Sequence, residues 1–222
     1  MLKQLKKIAL ISSLIFISNA QADSIEDGRY WLNFSFLGNL PVQDWNWTLD
    51  LRQRWREEGE NFDQFIASGY IIKKLSPKFA LGLGIDHIQN HPAGKESFEE
   101  NRITPQVQYK FDDIAGIKLQ SRTRFEFRRR EQFDDIAYRL REQIRASYPL
   151  NFNPNISLVM FDELLLNLNS TDWKVARGID QNRVFVGMGY QANTHVNIEF
   201  GYLNQYINTE LLQYTEQHFK KY

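Results

Sequence analysis

The side chains of this chain best equipped for chemistry are arginines spaced two residues apart. Arg52 and Arg54 form one set, Arg122, Arg124 and Arg128 a second, and Arg139, Arg141 and Arg145 a third, with Arg183 further on. Glu126, Glu163 and Glu199 stand among or beside them, and Asp50, Asp86 and Glu100 follow the same spacing. A guanidinium is a planar fork that pairs bidentately with carboxylate or phosphate oxygens. A spacing of two puts each set on one face of an extended strand. Two outcomes follow. Forks and carboxylates can satisfy each other in an interior salt-bridge lattice. Alternatively, the surplus of guanidinium can line a narrow pore or pocket that favours anions such as carboxylates or phosphates.

Other chemistries find little support. The chain has no Cys, which excludes thiol catalysis, disulfide scaffolds and Cys-ligated metals. No Gly-x-Ser-x-Gly occurs, and no Ser stands close in sequence to the four His, His87, His91, His195 and His218. A Ser–His hydrolase that attacks lipids would need such partners brought together by the fold. His87 and His91 would share a metal only on a helix, and Pro92 argues against one there. The acidic pairs Glu99-Glu100 and Asp112-Asp113 read as solvated turns. No catalytic residue, metal ligand or cofactor is assigned. With 27 basic and 27 acidic side chains the formal charge is zero, so nothing argues for nucleic acid.

The elements that carry the arginines are strands. From Trp45 to Arg56, one face holds Trp45, Trp47, Leu49, Leu51, Gln53 and Trp55, and the other holds Asn46, Thr48, Asp50, Arg52, Arg54 and Arg56. A helix would scatter these sets, whereas a strand separates them. The same split recurs at Tyr30–Phe36, Phe79–Asp86, Arg102–Phe111, Ile117–Arg128, Tyr138–Leu150, Arg183–Tyr190 and His195–Tyr202, and less cleanly at Phe65–Leu75 and Ile156–Asn167. The pattern predicts an all-β, antiparallel, transmembrane-type barrel of about ten strands, twelve at most, with no helix beyond the N-terminal leader.

Alternating segments of about ten residues on an exported chain mark an outer-membrane barrel, apolar toward lipid and polar inside. A soluble periplasmic barrel that binds a ligand also alternates, and is the alternative. The polar face decides between them. It carries up to eleven arginines, adding Arg56 and Arg102 to those above. A soluble fold would have to fill one core with the opposite, almost wholly apolar face. Connectors alternate too: Gly38–Asp44, Lys74–Lys78, Asp112–Gly116, Asn151–Asn155 and Gln191–Thr194 are short, and Glu57–Asp63, Gln89–Phe98, Arg129–Ile136 and Asn169–Asp180 are mostly longer. Phe36, Trp45, Trp47, Phe79, Tyr109, Phe111, Tyr148 and Tyr190 lie beside the short turns, as an interfacial girdle would. If those turns are periplasmic, the first strand starts outside, unless a leading segment near Ser24–Gly28 completes the count.

Residues 1–22 are read as a signal peptide, with Lys3, Lys6 and Lys7 before the apolar run Ile8–Ser18 and a small-x-small site at Ala20-Gln21-Ala22. That run is too short to span a bilayer as a helix, which takes about 20 residues. The barrel domain is then 23–222, with 24 basic against 27 acidic side chains. The expected location is the bacterial outer membrane. Expected partners are its lipids and lipopolysaccharide, together with the export and barrel-assembly machinery. The run Arg128-Arg129-Arg130 at a strand end could meet lipopolysaccharide phosphates.

Several phrases occur in a recognisable order: RQRWR at 52–56, RTRFEFR at 122–128, YRLREQIR at 138–145, FDELLLN at 161–167, QNR at 181–183 and GYLNQ at 201–205. Together they resemble an uncharacterised bacterial family of outer-membrane β-barrels, domain of unknown function 2490, across the whole mature chain. The resemblance implies a barrel and an outer-membrane location, and brings no activity or catalytic residue. Members usually continue past GYLNQ into a final His-containing strand ending in an aromatic. Here His218-Phe219 begins something similar and the chain stops at Tyr222, so the resemblance implies a shortened last strand.

Overall fold

In a computed structural model, which describes residues 24–56, 61–94 and 96–208, ten strands close into one antiparallel barrel. They are β1 (Ser24–Asn39), β2 (Trp45–Arg56), β3 (Asn61–Lys74), β4 (Phe79–Asn90), β5 (Phe98–Lys110), β6 (Lys118–Arg130), β7 (Ile136–Leu150), β8 (Asn153–Asn167), β9 (Gly178–Asn193) and β10 (Val196–Asn208). Each strand pairs with its neighbours in chain order, and β1 closes the sheet against β10. Closure leaves the wall no free strand edge, the condition for crossing hydrocarbon with strands. Residues 1–22, which the sequence leads one to expect as a signal peptide, and the stretch 209–222, where a shortened last strand is expected, lie outside the described residues. Closure is complete with β10 ending at Asn208.

Facing follows the period-two pattern. Leu49, Ile71, Leu83, Ile85, Ile103, Leu158, Met160, Val186 and Phe200 all point outward, Leu83 at 58% and Ile85 at 68% exposure. The buried positions of the wall are instead dominated by Arg, Glu and Gln. A water-soluble barrel would bury the first set and expose the second. The amphipathicity is that of a membrane-spanning barrel, polar within and apolar around. The aromatics beside the short turns form a rim on this outer face. Tyr109 meets Phe111 edge-on at 5.0 Å, and Lys73 sits 5.5 Å above the Trp45 ring.

Several strands run further toward the longer loops than hydrophobicity alone predicts, with β3 starting at Asn61 rather than Phe65 and β9 at Gly178 rather than Arg183. At that end both faces of the wall turn polar (His87 and Glu99 lie on the outer face), so the alternation fades while the hydrogen-bonded ladder continues. Ser24–Gly28 is the start of β1 and not an additional strand. The wall therefore begins and ends on the rim that bears the longer loops. On the opposite rim the turns are tight: Asn151-Phe152 and Thr194-His195 each join two strands, and Gly116 takes a φ of 82° where β5 returns into β6. There Lys78 also donates to Asp112 at 2.5 Å, which holds its ammonium above the ordinary lysine range, although so exposed a pair adds little stability.

The lumen and its arginine lattice

Register puts like charges face to face. Arg124 on β6 is directly opposite Arg141 on β7, and Arg102 on β5 is opposite Arg128 on β6. Such pairs repel unless carboxylates come between them. Glu126 does this at mid-wall. It is 0% exposed and takes Arg139 at 2.6 Å, Arg141 at 2.5 Å and Arg102 at 3.5 Å. Glu100 takes both Arg102, at 2.5 Å, and Arg128, in a fork at 2.7 and 3.1 Å. Glu163 takes Arg141 at 2.7 Å and Arg183 at 3.7 Å, and Asp180 adds a second carboxylate for Arg139 at 3.2 Å. These residues form one continuous lattice across β5 to β9.

The other expected lumen residues stand apart from it. Arg52 reaches Asp86 at 3.7 Å and donates to Ser68. Asp86 also accepts from Ser68, from Thr104 at 2.6 Å and from Tyr70 at 3.1 Å. Arg145 and Glu199 form a bidentate pair at 2.6 and 3.0 Å. Arg54 has no carboxylate within 4 Å among the described residues; it donates to Gln64 at 3.0 Å and lies 4.9 Å above the Trp31 ring. Arg124 turns onto the Tyr70 ring at 4.7 Å and donates to Gln106 at 3.0 Å. Arg122 donates to Gln143 at 2.8 Å.

Two features of the lumen escaped sequence reasoning. The first is an inward apolar cluster of Trp31, Val159, Phe161, Phe185 and Leu203, in which Phe161 and Phe185 stack at 4.9 Å and Trp31 meets both edge-on at 5.3 Å. The signal was available, because Phe185 falls on the face of Arg183 and Gly187, where a large apolar residue is out of pattern. The second is the loop between β8 and β9. Asn169–Asp180 was expected to be a charged connector, yet Trp173, Val175 and Thr171 are buried, packed with Ala137 and Phe133. Trp173 donates to the Asp135 carbonyl at 3.1 Å and lies under the Arg128 guanidinium at 5.1 Å. A Trp inside a polar loop was the available sign of a docked loop.

Lattice, apolar cluster and docked loop occupy the lumen from the loop rim to mid-height. Toward the short-turn rim the lumen instead holds a cavity of about 250 Å³, bounded by Arg122, Arg124, Gln108, Gln120, Trp31 and Phe161 among others. On the outer surface, His91 lies in the loop after β4 and shares a 2.8 Å hydrogen bond with Ser97, so the fold does bring a Ser to a His that the sequence keeps six residues apart. No carboxylate partner of that His91 ring occurs among the described residues. His195 lies in its turn beside Thr194, and His87 faces outward against Asn101.

Among solved structures, the translocator domain of the autotransporter NalP from Neisseria meningitidis is similar at 9% identity over 92% of this chain and 94% of that chain, with a TM-score of 0.37. The KdgM porin is similar at 11% identity over 82% of this chain and 98% of that one, with a TM-score of 0.38. An uncharacterized protein of Methylorubrum extorquens is 30% identical over 205 residues, 90% of this chain and 89% of the relative. Residues 28–213 match the family described as Protein of unknown function (DUF2490), and the chain belongs to that family.

Proposed function

We propose that the chain is exported on a cleaved leader, residues 1–22, and sits in the outer membrane as a non-conducting barrel. Its lumen is a charged scaffold in one half and a small solute-holding pocket in the other. The observation that carries this reading is the fully buried Glu126, held by three arginines at mid-height beside the Trp31–Phe161–Phe185 cluster, with the loop bearing Trp173 packed over the same half. An open channel would keep these groups wet. The apolar outer belt supports contact with outer-membrane lipid, and Arg129 and Arg130 at the loop rim are placed for lipopolysaccharide phosphates if that rim faces outside. Insertion of such a closed sheet calls for the barrel-assembly machinery.

Two measurements test this. After cell fractionation the mature chain is expected in the outer membrane, with an electrophoretic mobility in detergent that shifts on heating; quantitative release with the soluble periplasm would overturn the membrane reading. In planar bilayers the purified barrel is expected to give no stepwise conductance, because the buried lattice and the apolar cluster stand across the lumen. Regular anion-weighted steps would replace the closed reading with a pore.

A further inference from the structure

The short-turn half of the lumen carries cationic charge that the fold does not neutralise. Of its carboxylates, Glu199 is engaged by both terminal nitrogens of Arg145, and Asp50, which accepts from the neutral Ser35 hydroxyl at 2.6 Å, sets one negative charge against the two positive charges of Arg122 and Arg124. Arg122 and Arg124 have no carboxylate oxygen within 4.0 Å among the described residues. Their side-chain acceptors are the neutral amides of Gln143 and Gln106. The Arg122 Nε is buried without an acceptor, and so is the Trp31 Nε1 on the other side of the same cavity. Nearer the rim, Lys110 and Lys118 are exposed and follow the inward parity of Gln108 and Gln120. Most arginines of the other half come with carboxylates, Arg54 excepted; around this cavity two guanidiniums meet only neutral acceptors.

We propose that this cavity is a binding site for a small oxyanion, a solute whose carboxylate or phosphate oxygens take the free donors of Arg122 and Arg124. This rests on the reading of the lumen as a blind pocket, and adds what the pocket holds. Lys110 and Lys118 supply a positive mouth that draws anions in, an effect screened by salt. Arg122 is the principal contact, since its guanidinium meets only the neutral Gln143 amide and keeps terminal N–H donors beyond that bond. Gln108 and Gln120 offer amides to the rest of the solute, which the volume of about 250 Å³ limits to the size of a small organic acid or phosphate.

The test is calorimetric titration of the full-length mature barrel in detergent with citrate and, separately, with inorganic phosphate. One anion per barrel is expected to bind, more weakly as sodium chloride is raised. Citrate binding without phosphate binding assigns a carboxylate site, and the reverse assigns a phosphate site. Charge-assisted hydrogen bonds are strong enough that Arg122→Gln should weaken binding about tenfold or more. Lys174→Gln, on the opposite rim, should leave it unchanged. The heat-induced mobility shift of Arg122→Gln shows whether that variant has folded, and Lys118→Gln, at the exposed mouth, gives a second variant expected to bind more weakly at low salt. Failure of a folded barrel to bind either anion, or binding that Arg122→Gln and Lys118→Gln both leave intact, overturns the site. Stepwise conductance with anion binding retained would overturn the closed barrel and keep the site, so the two failures are distinguishable.

Discussion

Glu126→Ala is expected to cost the barrel more stability than loss of any other single carboxylate. The side chain is wholly buried and is the common counterion of Arg102, Arg139 and Arg141. Its removal leaves three guanidiniums close together with Glu100, Glu163 and Asp180 to share, and any water that enters brings no charge to replace it. Breaking a buried ion pair from one side costs about 3–5 kcal/mol, a large part of the roughly 5–15 kcal/mol that holds a folded domain. Heat should therefore unfold the variant in detergent at a much lower temperature than the parent. Glu126→Gln separates charge from volume. The amide fills the same space, so a cavity effect would spare it, whereas a charge effect destabilises it nearly as much as Ala. Glu142→Ala is the contrast. Its carboxylate faces outward and accepts from Ser121 at 2.6 Å and from Thr123, hydrogen bonds worth about 1 kcal/mol each. Equal losses for Glu126→Ala and Glu142→Ala would mean that the lumen is wet and the lattice does not hold the wall.

Strand number, facing and the crowding of arginines were all legible in the sequence, because each depends on parity alone. WNWTLDLRQRWR separates into β2 with Leu49 outside and Arg52 and Arg54 inside, and RTRFEFR puts Glu126 between two arginines on the inner face. The partners of those arginines were not legible. Arg145 finds Glu199 across 54 residues, and Arg139 finds Asp180 across 41. Such pairs depend on the stagger of the strands around the barrel, which parity does not record. The division of the lumen was hidden for a related reason. Phe161 and Phe185 stand on β8 and β9 beside Glu163 and Arg183 of the lattice, and only closure brings Trp31 of β1 and Leu203 of β10 onto them. The loop after β8 was not legible from its length as a docked one: it packs inward on Trp173 instead of standing clear as a charged connector.

The apolar cluster rests on two residues that have no side chain, and that gives a second large effect. Gly187 on β9 and Gly201 on β10 are directly paired, and the Phe185 ring lies across both. A Cβ built on Gly201 would stand 2.4 Å from the Val186 carbonyl oxygen, 2.6 Å from the Gly187 Cα and 2.7 Å from the Phe185 ring. Two of those three neighbours are backbone of the adjacent strand and cannot turn aside. An alanine in a strand ordinarily gains about 0.5–1 kcal/mol over glycine, because the unfolded chain has less freedom to lose. Here the clash decides the sign, since forcing extra atoms into a packed interior costs about 1–3 kcal/mol or more. Gly201→Ala should lower the unfolding temperature in detergent, and Gly201→Val should lower it further. Gly69→Ala is the control: it lies on the outer face of β3, where an added Cβ meets nothing within 4 Å, and should be neutral or stabilising. Because Phe161 and Trp31 lean on Phe185, displacing that ring also loosens the floor of the short-turn cavity. Gly201→Ala should therefore weaken anion binding there while leaving Arg122 itself untouched. An unchanged unfolding temperature for Gly201→Val would mean that the ring has another place to go, and that the cluster does not close the lumen.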